Sequence, residues 1–288
     1  RVRGESRGEY GETNLKEADI IGGGLDNLDA VLKAAEGSGC EIVVVNATCV
    51  PVLIGDDWRM VVEKSRRRSG LEIHYNAPSA GRELNMVQVF FDRLKSDPVF
   101  SQMKPQAGVI NLIGFPDTLA RRELEVLLGK AGVEVNLAIL PYLDYDQARH
   151  FGRASVQVLY PSCVYAGLYE SLLSGSASRS VSPPAPYGLA GTRRWLKEVC
   201  AAAGVGAERA ESAFDEAWHS IASEWRRLRD QTGGQRLAFV LDAEHLRRLL
   251  DEGGMRGVPM LETLREAGFG LDFLLYSPPG ARPGSAKD

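Results

Sequence analysis

Little in this chain advertises a site. Its 288 residues include only four cysteines and four histidines, and the cysteines at 40, 49, 163 and 200 are widely spaced. They form no C-x-x-C pair of the zinc type, nor the dense framework of a small secreted protein. There is no G-x-G-x-x-G, no G-x-x-x-x-G-K-[ST] and no G-x-S-x-G, so the usual dinucleotide, phosphate-loop and hydrolase signatures are missing. No run approaches the roughly 18 apolar residues of a membrane helix, and no signal peptide opens the sequence. The net charge of -4 and pI near 5.7 argue against a nucleic-acid surface. The basic run "EKSRRRSG" (63–70) is read as a solvated helix end. A reducing, cytoplasmic setting is the expectation, without nucleic acid or membrane as partner.

What is present is an ordinary globular composition, 44% hydrophobic and 25% charged, long enough for two or three domains. Short apolar runs alternate with helical repeats. "CEIVVVNA" (40–47) is too short for a helix and reads as a buried parallel strand; "NLDAVLKAAEG" before it and "DWRMVVEKSRRR" after it read as helices. "LEIHYNAP" is a second strand and "LNMVQVFFDRLKS" a further helix. After "SQMKPQ" comes a Rossmann-like unit: strands "AGVINLIG", "VEVNLAILP" and "ASVQVLYP", with the helix "DTLARRELEVLLGKAG" and a short helix "DYDQARHFGR" between them, and the helix "SCVYAGLYESLLSG" after the last. The Ser/Pro-rich "SASRSVSPPAP" (176–186) is expected to be a loop or crossing. Two helices follow, then "QRLAFVLD" and "LDFLLYSP" as strands around two more helices, the start of a third α/β unit. The polar leader "RVRGESRGEYGETN" and the tail "SPPGARPGSAKD" suggest pieces of a longer protein.

In open parallel sheets ligands gather at the carboxyl ends of strands. Cys49 and Cys163 each follow an apolar strand at that end, at or just before a helix start, where free amides favour a thiolate. Cys40, which opens a strand, and Cys200, among alanines on a helix, read as small buried hydrophobes. "IIGGGLDN" reads as a tight turn before a helix rather than a nucleotide cradle, and Asp56 and Asp57 as caps of the helix that follows them. His74 within a strand, and His150, His219 and His245 within helices, take structural or surface roles.

The order of these features resembles a known family. "TNLKEADIIGGGLDNLDAVL", followed about twenty residues on by "TCVPVLIGDD", then "VINLIG" with "RRELEVLLGKAGVEV", then "PPAPYGLAGTRRWL", is similar to the nitrogenase component 1 family over roughly residues 13 to 205. That family includes the molybdenum-iron protein subunits, the scaffold proteins that mature their cofactor, and the dark-operative protochlorophyllide and chlorophyllide reductases. The resemblance implies an α/β fold of repeated Rossmann-like domains with parallel sheets around a metal-cluster cavity. The domains expected are 1–103, carrying the interface-cluster cysteine; 104–180, a central Rossmann-like domain; and 181–288, a helical crossing and partial third α/β domain.

The resemblance further implies that Cys49 ligates an iron–sulfur cluster, of 4Fe-4S or 8Fe-7S type, shared with a homologous second subunit in a heterotetramer. It places Cys163 as ligand to a second metal cluster near the substrate. Electrons would come from a separate ATP-dependent iron protein, in keeping with the missing phosphate loop. The family's first cluster cysteines lie in upstream Gly/Pro-rich loops that this sequence does not show. It also has no histidine after His245, which weighs against a dinitrogen-reducing catalytic subunit. Three functions follow as expectations: a nitrogenase-like reductase subunit, an assembly scaffold for the metal cofactor, or a small-molecule-binding α/β protein with inert cysteines.

Overall fold

A computed structural model describes residues 11–40, 42–46, 50, 53–76, 86–140, 144–161, 169, 173, 178–251 and 258–276. The chain divides into two compact units, Arg1–Arg93 and Leu94–Asp288.

In the first unit, α1 (Glu17–Gly22) and α2 (Leu25–Gly37) lead into β1 (Ile42–Asn46); α3 (Trp58–Ser69) then leads into β2 (Glu72–Asn76). The strands pair in parallel, Ile42 opposite Glu72 through Asn46 opposite Asn76. A helix connecting two parallel neighbours is the βαβ arrangement expected of them. Leu28 and Leu32 of α2 and Trp58, Val61 and Val62 of α3 lie at helical spacing and close, with Ile73, a small core. At its rim the helices are tied by charge. Arg68 Nε donates to Glu36 and its guanidinium reaches Asp29 at 3.1 Å, Lys33 pairs with Asp29 at 2.8 Å, and the buried Ser65 hydroxyl donates to Glu36 at 2.8 Å. This explains part of the basic run: Arg68 is a tether, not only a solvated end.

The second unit opens with the last residues of α4 (Met86–Lys95) and then α5 (Pro98–Gln102). Its central sheet contains β3 (Gln106–Ile113), β4 (Glu134–Ile139), β5 (Ala154–Leu159) and β6 (Arg179–Val181), in spatial order β4-β3-β5-β6, with each adjacent pair parallel. The chain runs from β3 through α6 (Leu119–Ala131) to β4 on one side, then crosses to β5 on the other, so the switch point lies between β3 and β5. One face of the sheet is apolar: Ile110, Leu112, Val156 and Val158 pack under α6, α8 (Gly188–Ala202) and α9 (Ala207–Thr232) through Leu127, Leu128, Trp195, Leu196 and Phe214.

The opposite face carries a polar row. Asn111 Nδ2 donates to Gln157 Oε1 (2.9 Å) and to the Phe151 carbonyl (3.0 Å), and Asn136 Nδ2 donates to Asn111 Oδ1 (2.8 Å) and the His150 carbonyl (3.0 Å). Asn111 and Gln157 are register partners and fully buried. The row is held by bonds among its members and to backbone, although the Gln157 Nε2 group itself is buried without a partner.

Beyond α9, β7 (Arg236–Leu241) and β8 (Gly270–Leu275) pair in parallel around α10 (Ala243–Leu250) and α11 (Met260–Glu266). Phe239 stacks on Phe273 at 5.5 Å, while Val240, Leu274 and Leu275 are exposed.

Two sequence expectations are corrected. Residues 179–181 were expected in a loop; they form β6, because Val156–Val158 of β5 offer a free edge and Ser178 Oγ anchors the entry on the Ala154 carbonyl at 2.7 Å. The prolines fall after that strand ends, where no ladder bond is needed. His150 lies in the turn between α7 (Tyr145–Ala148) and a 3-10 turn at Phe151–Arg153, not within a helix. Among the described residues, no helix is long and apolar enough to cross a membrane.

Two outcomes are expected. Asn111→Ala strands the carboxamide of Gln157 and the Phe151 carbonyl, and should destabilise the second unit by about 2–4 kcal/mol, read as a lower urea midpoint at unchanged slope. In the first unit, Lys33 and Arg68 lower the Asp29 carboxyl to about 2. Its contribution is present above the unfolded value of about 4 and lost as pH falls toward the folded one. The stability difference between wild type and Asp29→Asn, followed by hydrogen exchange of β1 and β2 amides, should therefore shrink below about pH 4.

Candidate functional site

The carboxyl end of β1 is organised by two motifs that lie about thirty residues apart in sequence. Gly22 ends α1, Gly23 turns the chain with φ of 96°, and Gly24 caps α2. The Gly24 N–H donates to Asp56 Oδ2 at 2.8 Å. A Cβ on Gly23 would stand 3.1 Å from Asp56 Oδ1, and one on Gly24 would meet the Leu15 side chain at 2.5 Å. Only glycine lets the turn sit this close to the acid. Asp19 fixes the turn from behind, accepting from Lys16 N–H (2.8 Å) and Asn27 Nδ2 (3.0 Å). The turn reading of "IIGGGLDN" therefore holds, but the capping reading of the acid pair does not. Asp57 occupies the N-cap position of α3 without a side-chain bond to it, because Asp56 has been drawn to the glycine turn and Asp57 stays in solvent.

Cys49 falls in sequence between β1 and Asp56. β1 ends at Asn46, and Asp56 closes the "CVPVLIGDD" segment on the far side of the cysteine. Cys49 itself lies outside the described residues. Around the joint, Ile21 is 89% exposed and Leu53 81%, with Ile20 and Met60 also exposed.

In the second unit the carboxyl ends of β3 and β5 flank the switch point. Tyr160 N–H extends the pairing onto the Ile113 carbonyl and Gly114 N–H onto the Ile139 carbonyl, both at 2.9 Å. Just past the end of the next strand over, β4, Leu140 is buried and has φ of 61°, a conformation rare for a leucine and often found where a loop serves a site. Phe115, Tyr160 and Trp195 pack edge to face, the rings of Phe115 lying 5.1 Å from Tyr160 and 5.9 Å from Trp195. The Tyr160 hydroxyl meets that of Tyr187 at 3.3 Å, and the Tyr169 hydroxyl donates to the Tyr160 carbonyl at 2.7 Å. Burial, and then the bond to Tyr187, push the Tyr160 hydroxyl far above the ordinary tyrosine range, so it stays a donor. Cys163 follows Tyr160 and Pro161 in the chain and also lies outside the described residues.

The "PPAPYGLAGTRRWL" motif has a structural meaning here: Thr192 Oγ1 donates to the Pro186 carbonyl at 3.2 Å and Trp195 is fully buried under the sheet edge. Cys200 is buried as expected, but Cys40 is only half-buried. The Cys40 thiol donates to the Ala35 carbonyl at 3.2 Å, and Cys200 is buried in the core, where desolvation raises its thiol to about 11. His74 contacts Glu72 at 2.7 Å, His219 its own helix at the Asp215 carbonyl (2.5 Å), and His245 the capping Asp242 at 2.8 Å. Among the described residues no three His, Cys, Asp or Glu side chains converge as a metal-binding group. Sequence reasoning missed the Asp56–Gly24 joint and the Tyr160–Tyr187 pair. The first had a readable signal, glycine-rich and Gly-Asp-Asp turns flanking one strand; the second had none, since the tyrosines are 27 residues apart.

Parallel strands flanked by helices make this an α/β protein of Rossmann-like units, and comparison with known proteins identifies the family. The sequence matches the family model for nitrogenase component 1 type oxidoreductases over residues 3–262, and the chain belongs to that family. The structure resembles two solved structures described as "Nitrogenase Cp1 at pH 6.5" and "Nitrogenase Cp1 at pH 5", each with a TM-score of 0.61 at 17% identity. Those matches cover 90% and 94% of this chain but only 49% and 54% of the other, so it spans about half the length of the proteins it resembles. At that identity the likeness speaks for the fold. No curated protein matches the sequence.

Removing the Asp56 carboxylate should free the turn without unfolding the unit. In Asp56→Ala the Gly24 amide should exchange with solvent about tenfold faster, while the amides of β1 and β2 keep their protection.

Proposed function

We propose that this chain is a subunit of a nitrogenase-like component 1 complex, which accepts electrons from an ATP-dependent iron protein and passes them through an iron–sulfur cluster toward a substrate. Membership of a family that normally binds metal clusters and forms hetero-oligomers supports the reading. The observation that carries it to particular residues is the joint between Asp56 and Gly24, which ties the acid closing the Cys49 segment to the glycine turn before α2.

The residues present fit a shared cluster rather than one held by this chain alone. Cys40 and Cys200 are committed to a backbone bond and to the core, which leaves Cys49 as the thiol of the first unit in position to serve. A four-thiolate cluster then needs ligands from elsewhere, and a homologous second subunit supplies them in this reading. The exposed Ile20, Ile21, Leu53 and Met60 around the joint are apolar surface of the kind a partner covers. The cluster, when bound, supplies one-electron transfer at low potential. The chain's own part in this reading is to supply the Cys49 thiol, with apolar side chains to exclude water and the amides of the glycine turn as donors. Cys163, three residues after Tyr160 in the sequence, is assigned to a second metal cluster or the substrate pocket, and residues 1–103, 104–180 and 181–288 are proposed as three domains. The site of action is the cytoplasm.

The test is iron and acid-labile sulfide in protein purified anaerobically with its partner. Wild type and Cys200→Ala should both be brown, and Cys49→Ala should lose most of its iron. A colourless wild type, or a Cys49→Ala protein with undiminished iron, removes Cys49 from the site. Turnover with an iron protein, ATP and a reductant marks a reductase; cluster content without turnover marks an assembly scaffold.

A further inference from the structure

The helix that begins at the motif loop has no cap of its own. The residue preceding α8 is Tyr187, whose side chain makes no bond to the helix start. The cap comes instead from 77 residues away: Glu266, the last residue of α11, accepts the Leu189 N–H on Oε2 at 2.6 Å and the Ala190 N–H on Oε1 at 2.8 Å. A bidentate carboxylate on the first-turn amides also meets the positive end of the helix dipole. Gly188 is shaped by the same contact. Its φ is 68°, and a Cβ there would collide with Glu266 Oε2.

Glu266 is in turn held by its own neighbours. The Thr232 hydroxyl, in the last turn of α9, donates to the carbonyl of Ala267, and Gly268 turns the chain toward β8 with φ of 104°. The carboxylate is therefore placed by the seat of the β7–β8 segment. At the other end of the contact, the loop between β6 and α8 carries Tyr187, whose hydroxyl meets that of Tyr160 at the end of β5. In that pair Tyr160 donates to the Tyr187 hydroxyl.

We infer that Glu266 is a positioning residue that couples the seating of the β7–β8 segment to the Tyr187–Tyr160 hydroxyl pair at the carboxyl edge of the central sheet. The functional weight of this coupling rests on the reading of that edge as the ligand-bearing one. With the carboxylate seated, the start of α8 and the loop before it are fixed and the two hydroxyls meet. Once it is withdrawn, two first-turn amides lose their acceptor and the loop is free to carry Tyr187 away from Tyr160.

The experiment uses the full chain and needs no cluster, so its outcome is separate from that of the iron assay. Backbone hydrogen exchange and tyrosine-ring carbon NMR are compared in wild type, Glu266→Ala, Glu266→Gln, Gly188→Ala and the double variant Gly188→Ala/Glu266→Ala. In Glu266→Ala and Gly188→Ala the Leu189 and Ala190 amides should exchange about tenfold faster, and the Tyr160 and Tyr187 signals should move together. Glu266→Gln, which keeps one acceptor oxygen, should fall between. The double variant should be no worse than the more affected single one, because both changes break the same contact. Amides of β3 and β5 should stay within about twofold of wild type. Loss of protection spread evenly over the second unit would overturn the inference, leaving Glu266 a general stabilising residue. Unmoved tyrosine signals with faster Leu189 and Ala190 exchange would also overturn it, reducing Glu266 to a helix cap.

Discussion

Parallel strands must all end on the same edge of their sheet, and this structure depends on that constraint. In the first unit it puts the end of β1 beside the end of β2. In the second it gathers the ends of β4, β3 and β5 around a switch point. The chain leaves each sheet there, and there backbone amides and helix starts are unspent by the ladder. A chain with few cysteines can build ligand sites on such edges because the fold supplies the rigidity and the amides, while the sequence needs to add only one thiol at each.

The specific motifs then turn out to be devices for holding those edges still. The glycine turn and the Gly-Asp-Asp turn are two halves of one contact, Asp56 on the Gly24 amide, with glycines required by approach distances near 3 Å. The Pro-rich loop before α8 is pinned from inside by Thr192 and from outside by Glu266. Trp195 locks the helix beneath it to Phe115. In each case the residues touching the edge are backbone groups and the side chains act from behind. Such residue patterns therefore read as structure first and become functional only through what they position.

Much of this was legible beforehand. Short apolar runs bounded by helical repeats gave the strands and their parallel pairing; the buried reading holds for β3 and β5, whereas β1 is half-buried at most and β7 alternates with solvent. The burial of Cys200 was legible from its place among alanines on a helix; the half-exposed setting of Cys40 was not. Three further things were not legible. β6 is three residues long and polar at Arg179 and Ser180, and it exists only because β5 has an edge to offer. The polar row through Asn111 and Gln157 contradicts the apolar pattern of its strands and is tolerated only by mutual bonding. Contacts such as Glu266 to Leu189, 77 residues apart, leave no local periodicity to read.

The central claim is that iron sits at the carboxyl end of β1, with Cys49 among its ligands. Anomalous diffraction at the iron K-edge, on crystals of the anaerobically purified complex, addresses it directly. The account predicts a strong iron peak within bonding distance of the Cys49 sulfur, on the side of β1 where Asp56 meets Gly24. An iron-free edge at that position, or iron bound instead at Cys40 or Cys200, would contradict it.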